Sequence, residues 1–119
     1  MKYMLLIHQG TAPTPRSPVE WASLSEDEQK AVYTDYQAIN ETPGVTPGLG
    51  LDAPETATTV RVQDGKTLTT DGPFVEIKEA IGGYLLFEAD DLDAPIELAS
   101  RIPAARMGGA VEVRPIVEW

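Results

Sequence analysis

The sequence contains a single histidine, His8, and it is the only side chain whose ordinary pKa lies close to neutrality. It follows the apolar run Tyr3 to Ile7, so a strand would deliver it to the end of a sheet. A histidine in that place suits general-base chemistry if a carboxylate fixes its tautomer and raises its basicity. Asp71, which opens Asp71-Gly72-Pro73-Phe74, is the candidate partner. Here Gly supplies backbone freedom, Pro sets φ and Phe buries the loop, which could hold the carboxylate at a cavity mouth. The same four residues also make an ordinary Asx-turn, and His8 could equally be a partly buried histidine with no chemical task.

Glu76, Lys78 and Glu79 come next, followed by Gly82-Gly83. Glu76 or Lys78 could reach into a cavity; alternatively the three form a solvated linker with weak local ion pairs. Two glycines inside a strand point to a bulge or to close backbone approach, with a helix or a second copy as the expected neighbour. Arg61 and Arg114 are candidate anion holders if strand parity turns them inward. Phe74 and Tyr84 complete the candidate substrate-binding set, and Trp119 reads as interface or core cover. One histidine, no cysteine and no His-x-His or Glu-x-x-His spacing give no metal site. There is no P-loop, dinucleotide fingerprint or Gly-x-Ser-x-Gly, so any chemistry is expected to need no cofactor.

Composition narrows the partners. Nine basic and nineteen acidic residues give a formal charge of −10. Nucleic-acid binding depends on neutralising phosphates, and docking on anionic lipid needs basic residues, so neither is expected. The length suits one domain spanning residues 1–119. The absence of cysteine fits a reducing cytoplasm. An apolar run of five residues is too short for a signal peptide or a membrane span.

The elements that must position these groups follow from periodicity. Lys2 to His8 is apolar on both faces and reads as a central strand. Residues 9–23, with Pro13, Pro15 and Pro18, read as a long loop. Ser25-Glu26-Asp27-Glu28 is a capping box, after which Ala31, Val32, Tyr36 and Ile39 form a helical stripe until Pro43-Gly44. A short strand fits Thr46 to Leu51. Thr58 to Gln63 and Lys66 to Thr70 flank Asp64-Gly65, a strong hairpin signal that sets Gln63 opposite Lys66 and Val60 opposite Thr69. Ala80 to Ala89 is a further strand. Asp91 or Asp93 begins a second helix with the stripe Ile96, Ala99 and Ile102, closed by Pro103, and Ala110 to Val117 is the last strand. The order β, α, β, hairpin, β, α, β predicts an α+β, ferredoxin-like split β-α-β protomer with an inserted hairpin.

Two helices cover only one face of such a sheet. Val111, Val113 and Val117 suit the helix side, leaving Glu112, Arg114 and Ile116 on the other with Gly82, Tyr84, Leu86 and Glu88. That open face is too apolar for water and too charged for a dry core. Packing two copies face to face around a partly polar cavity satisfies both constraints and predicts a homodimer.

Several stretches resemble one family: Met1 to Ile7; Glu55 to Val62; Asp64-Gly65-Lys66 with Thr70 to Phe74; and Glu76, Lys78-Glu79 and Gly82-Gly83-Tyr84. Asp91-Leu92-Asp93, Ala99 to Ala104 and Val111 to Pro115 extend the match over nearly the whole chain. These are similar to DGPF-domain proteins, a YCII-related group within the dimeric α/β-barrel superfamily. The resemblance implies a ferredoxin-like protomer dimerising through its sheets. It also implies kinship with proteins found beside extracytoplasmic-function sigma factors, and with a dehydrochlorinase thought to use a His–Asp pair. Members commonly carry Tyr where His8 stands.

Two functions therefore remain open. One is a small cytoplasmic homodimer holding a small organic molecule between its sheets, with acid–base elimination or isomerisation by His8 and Asp71. The other is a non-catalytic accessory or ligand-sensing module acting with a regulatory protein.

Overall fold

The computed structural model describes residues 1–14, 18–72 and 81–118. Phe74, Glu76, Lys78 and Trp119 lie outside the described residues. Among the described residues six strands and four α-helices follow in the order β1 (Lys2–His8), α1 (Pro18–Ala22), α2 (Glu26–Asn40), β2 (Val45–Gly50), β3 (Thr58–Gln63), β4 (Lys66–Asp71), β5 (Ile81–Glu88), α3 (Asp93–Ser100), α4 (Pro103–Arg106) and β6 (Ala110–Pro115). Strands β2, β5, β1 and β6 lie side by side in that order, and every neighbouring pair is antiparallel. The chain is thus of the α+β class, with the strand order of the split β-α-β arrangement.

Strand parity decides which side chains meet the helices. Tyr3, Leu5 and Ile7 of β1 are buried, as are Leu85 and Phe87 of β5. They pack with Ile39 of α2, Leu98 and Ala99 of α3, and Ile102 and Ala104 around α4 into one core. Val111 and Val113 stand opposite Ile7 and Leu5 and join it from β6. Arg106 of α4 is bonded to Asp35 of α2, tying the two ends of the helical layer together.

The α2 start is built as its sequence dictates. Ser25 Oγ accepts from the Glu28 N–H at 3.1 Å, and Glu28 accepts from the Ser25 N–H at 3.0 Å. The backbone hydrogen bond at Ser25, with its hydroxyl second, lowers the Glu28 pKa.

Several expectations shift in detail. Ala31 is exposed, and the buried stripe of α2 runs through Val32 and Ile39. Ile96 is 52% exposed; α3 instead buries Pro95, Leu98 and Ala99, because the helix rolls its Pro95 edge onto the sheet. Pro103 both stops α3 and occupies the first turn of α4, where its missing N–H costs nothing. Part of the loop at 9–23 is the short helix α1. β6 ends at Pro115, and Val117 is 68% exposed rather than on the helix side.

The hairpin forms as expected but stands apart. β3 and β4 make their own two-stranded sheet, with Gln63 opposite Lys66 and Val60 opposite Thr69. Asp64 and Gly65 take φ values of 51° and 74°, the double left-handed geometry of a tight hairpin turn. Val60 and Val62 remain 60% and 70% exposed. The radius of gyration, 16.0 Å, exceeds the roughly 13.5 Å of a compact chain of this length, consistent with a projecting arm.

Candidate functional site

Among the described residues no helix lies on the second face of the sheet. Met4, Leu6 and His8 of β1 point there, beside Tyr84 and Leu86 of β5 and Glu112 and Arg114 of β6. All but Arg114 are half-buried. The only described histidine thus emerges on an apolar surface at the junction of three strands.

His8 is opposite Ala110, and the side chain two residues along β6 on the same face is Glu112. The His8 Nε2 lies 3.2 Å from Glu112 Oε1. Arg114, two residues further, donates from its Nε to the other carboxylate oxygen. Glu112 is therefore shared between an imidazole and a guanidinium. Its pKa is lowered, chiefly by the Arg114 hydrogen bond; burial opposes this next most strongly, and the His8 hydrogen bond adds a weaker lowering. A carboxylate held ionised next to Nε2 favours the tautomer that carries its proton there, leaving the basic lone pair on Nδ1. Arg114, 68% exposed, keeps positive charge at the rim.

Asp71 is not joined to His8 by a hydrogen bond or ion pair. It pairs with Thr58 at the base of the hairpin, in the other sheet, and is exposed. The Gly72 N–H donates to the Ala57 carbonyl at 2.6 Å, and Thr59 Oγ1 donates to the Gly72 carbonyl at 2.7 Å. Gly72 thus ties the base of the hairpin to the segment before β3. Arg61 lies on the same hairpin opposite Leu68 and is exposed. Of the expected site residues within the described parts, His8, Tyr84 and Arg114 share one face; Asp71 and Arg61 sit on the arm.

Glu112 was legible as an open-face residue but not as the partner of His8. The pairing joins residues 104 positions apart, and only the adjacency of β1 and β6 makes it. A carboxylate on the open-face parity of the neighbouring strand is the signal that could have found it.

Gly82-Gly83 is a bulge. The β1–β5 register passes from Ile7 opposite Gly83 to His8 opposite Ile81, which leaves Gly82 without a partner residue. A Cβ on Gly82 would overlap the Gln9 side chain, and one on Gly83 would crowd the Leu49 carbonyl. Among the described residues the close neighbours are therefore Gln9 and the β2 backbone, not a helix.

A concavity lies on the helix side. It has a volume of about 240 Å³ and lies between α2, the loop after β1, the end of β2 and the start of α4. No helix among the described residues is long and apolar enough to cross a membrane.

A family model for the YCII-related domain matches residues 1–119. The chain is also similar to Uncharacterized protein R00369 of Rhizobium meliloti (strain 1021). The two are 32% identical over 97 residues, which covers 77% of this chain and 78% of that protein. A strand order of the split β-α-β kind and a match along its whole length agree, and the chain belongs to the YCII-related family.

Proposed function

We propose that this protein is a homodimer whose open sheet faces pack together around a small organic molecule, with His8 as general base. The observation that carries this reading is the 3.2 Å contact of His8 Nε2 with Glu112 Oε1, set among half-buried apolar residues. A lone histidine on a wet surface has no need of a carboxylate that is itself fixed by an arginine. A face carrying Met4, Leu6, Tyr84 and Leu86 gains by leaving water, and a second copy is the self-complementary way to cover it.

In this reading Glu112 takes the orienting role expected of Asp71. It holds the imidazole so that Nδ1 can take a proton from carbon or hydroxyl. Arg114 offsets the negative charge that then develops on the substrate oxygen. Tyr84, alongside, supplies ring contact. The reaction class is elimination or isomerisation of an oxygenated or halogenated ring, run without a cofactor.

The test is a panel of hydroxylated and chlorinated aromatic compounds assayed for turnover, with sedimentation to report association. Turnover lost in both His8→Ala and Glu112→Gln, from a protein that sediments as a dimer, supports the reading. A monomer at tens of micromolar, or turnover that survives both substitutions, overturns it.

The exposed Val60 and Val62 favour a second reading. The hairpin would be the contact surface of an accessory module that serves a regulatory protein. Replacing both valines with threonine should then abolish the regulatory effect without altering association of the two copies.

A further inference from the structure

The 240 Å³ cleft is walled mainly by the helix side of the sheet, whereas strand parity turns His8 to the open face. One wall is a single helical stripe, Val32, Tyr36 and Asn40, spaced four residues apart on α2. The sheet contributes Ile7 and Leu85, and Leu49 stands at the mouth on the edge strand β2, 70% exposed.

Its described lining is electrically neutral. None of the seventeen described lining residues is charged, in a chain where 24% of residues are. The polar side chains are Gln9, Thr14, Tyr36, Asn40 and Tyr84, the last of which strand parity also turns toward the open face. Among the described hydrogen bonds the side-chain amides of Gln9 and Asn40 have no partner, so both can donate to and accept from a bound molecule. Gln9 is half-buried, its stem lying over Gly82 where a Cβ would otherwise sit. The glycine bulge is thus what lets an amide lie along the floor of the cleft.

We propose that this cleft is a second ligand site, distinct from the His8 face. It takes an uncharged ring-bearing molecule with a hydroxyl or carbonyl that meets the Gln9 and Asn40 amides. Size sets the scale: an apolar cavity of about 150 Å³ accepts benzene, so about 240 Å³ accommodates roughly ten heavy atoms. Charge excludes the alternatives. In the described lining an anion would find no cationic partner, and it would enter against a formal protein charge of −10; a cation would find no carboxylate there.

The full chain is titrated with 2-naphthol, which is neutral at pH 7, and with 2-naphthoate as its charged counterpart, followed by proton–nitrogen correlation spectra. Saturable 2-naphthol shifts are expected at Ala12, Asn40, Leu49 and Ala104 and at the side-chain amides of Gln9 and Asn40. 2-Naphthoate should bind at least ~10-fold more weakly. Leu49→Asp and Asn40→Ala, both at exposed positions that tolerate substitution, should each weaken 2-naphthol by about 5-fold or more, whereas His8→Ala leaves it unchanged. The proposal is overturned by no saturable binding, by shifts centred on Met4, Leu6 and Leu86, or by equal affinity for 2-naphthoate. Loss of binding in His8→Ala would also sink it, by returning the ligand to the other face.

Discussion

β1 sends Tyr3, Leu5 and Ile7 to one side of the sheet and Met4, Leu6 and His8 to the other, and the two sides differ in kind. The helix side has concavity without charge: a closed core and a neutral cleft. The open side gathers charge instead: His8, Glu112 and Arg114 on a surface that no described element covers. A ligand site normally combines the two, a shaped apolar hollow with a few aimed polar groups. Here one strand separates the neutral hollow from the charged groups, which in the proposed dimer a second copy would cover.

The contrast can be broken first at adjacent leucines. Leu5 is fully buried, and Leu5→Ala should cost about 3 kcal/mol in a denaturant titration, independent of protein concentration. Leu6→Ala should cost far less in the dissociated protein and should instead weaken association. Equal, concentration-independent losses at both positions would mean that the two faces do not differ. Next in size, Leu86→Asp places a charge on the open face and should weaken self-association by about 100-fold, read by sedimentation, because an unpaired charge would be desolvated in the interface. Unchanged sedimentation would leave that face as simple solvated surface.

Ser25→Ala removes one half of the capping box that starts the cleft's helical wall, and should destabilise by about 1 kcal/mol. The loss should fall on the cleft and leave the His8 carboxylate pairing, seen in carboxyl NMR shifts, unmoved. The smallest effect is a pH dependence. The Glu112 pKa is lowered in the folded protein, so its contribution is present above the ordinary carboxylate range and lost as pH falls through the folded value. Arg114→Ala should raise the Glu112 titration midpoint, and Glu112→Gln should flatten the acid side of the stability profile. A midpoint that Arg114→Ala does not move would remove the arginine from its account.

Local chemistry was the legible part of the sequence. Asp64-Gly65 between β-branched runs yields the hairpin and its register, and Ser25 with Glu28 yields the start of α2, because each is decided by residues within a few positions. Strand parity likewise divides Leu5 from Leu6 and places Glu112 and Arg114 on the open face. The roll of α3, which buries Pro95 and exposes Ile96, is set by packing across the sheet and leaves no local trace. The partner of His8 depends on β6 lying beside β1, and the cleft gathers residues from positions 7 to 104. Both are long-range facts. The Asp71 expectation rested on its turn motif; in the fold Asp71 stands opposite Thr58, and the bonds beside it are made by Gly72.

The unpartnered Gly82 carries a consequence for how this chain can change over generations. In a regular strand the gain or loss of one residue turns every later side chain to the opposite face. Between Ile81 and Gly83 an extra residue is already absorbed, so losing it would straighten β5 while His8 stays opposite Ala110 and on the side of Glu112. The bulge is a place where length can vary by one without re-facing β1. The cleft would feel the change through Gln9, and a descendant lineage could alter one binding surface while inheriting the other intact.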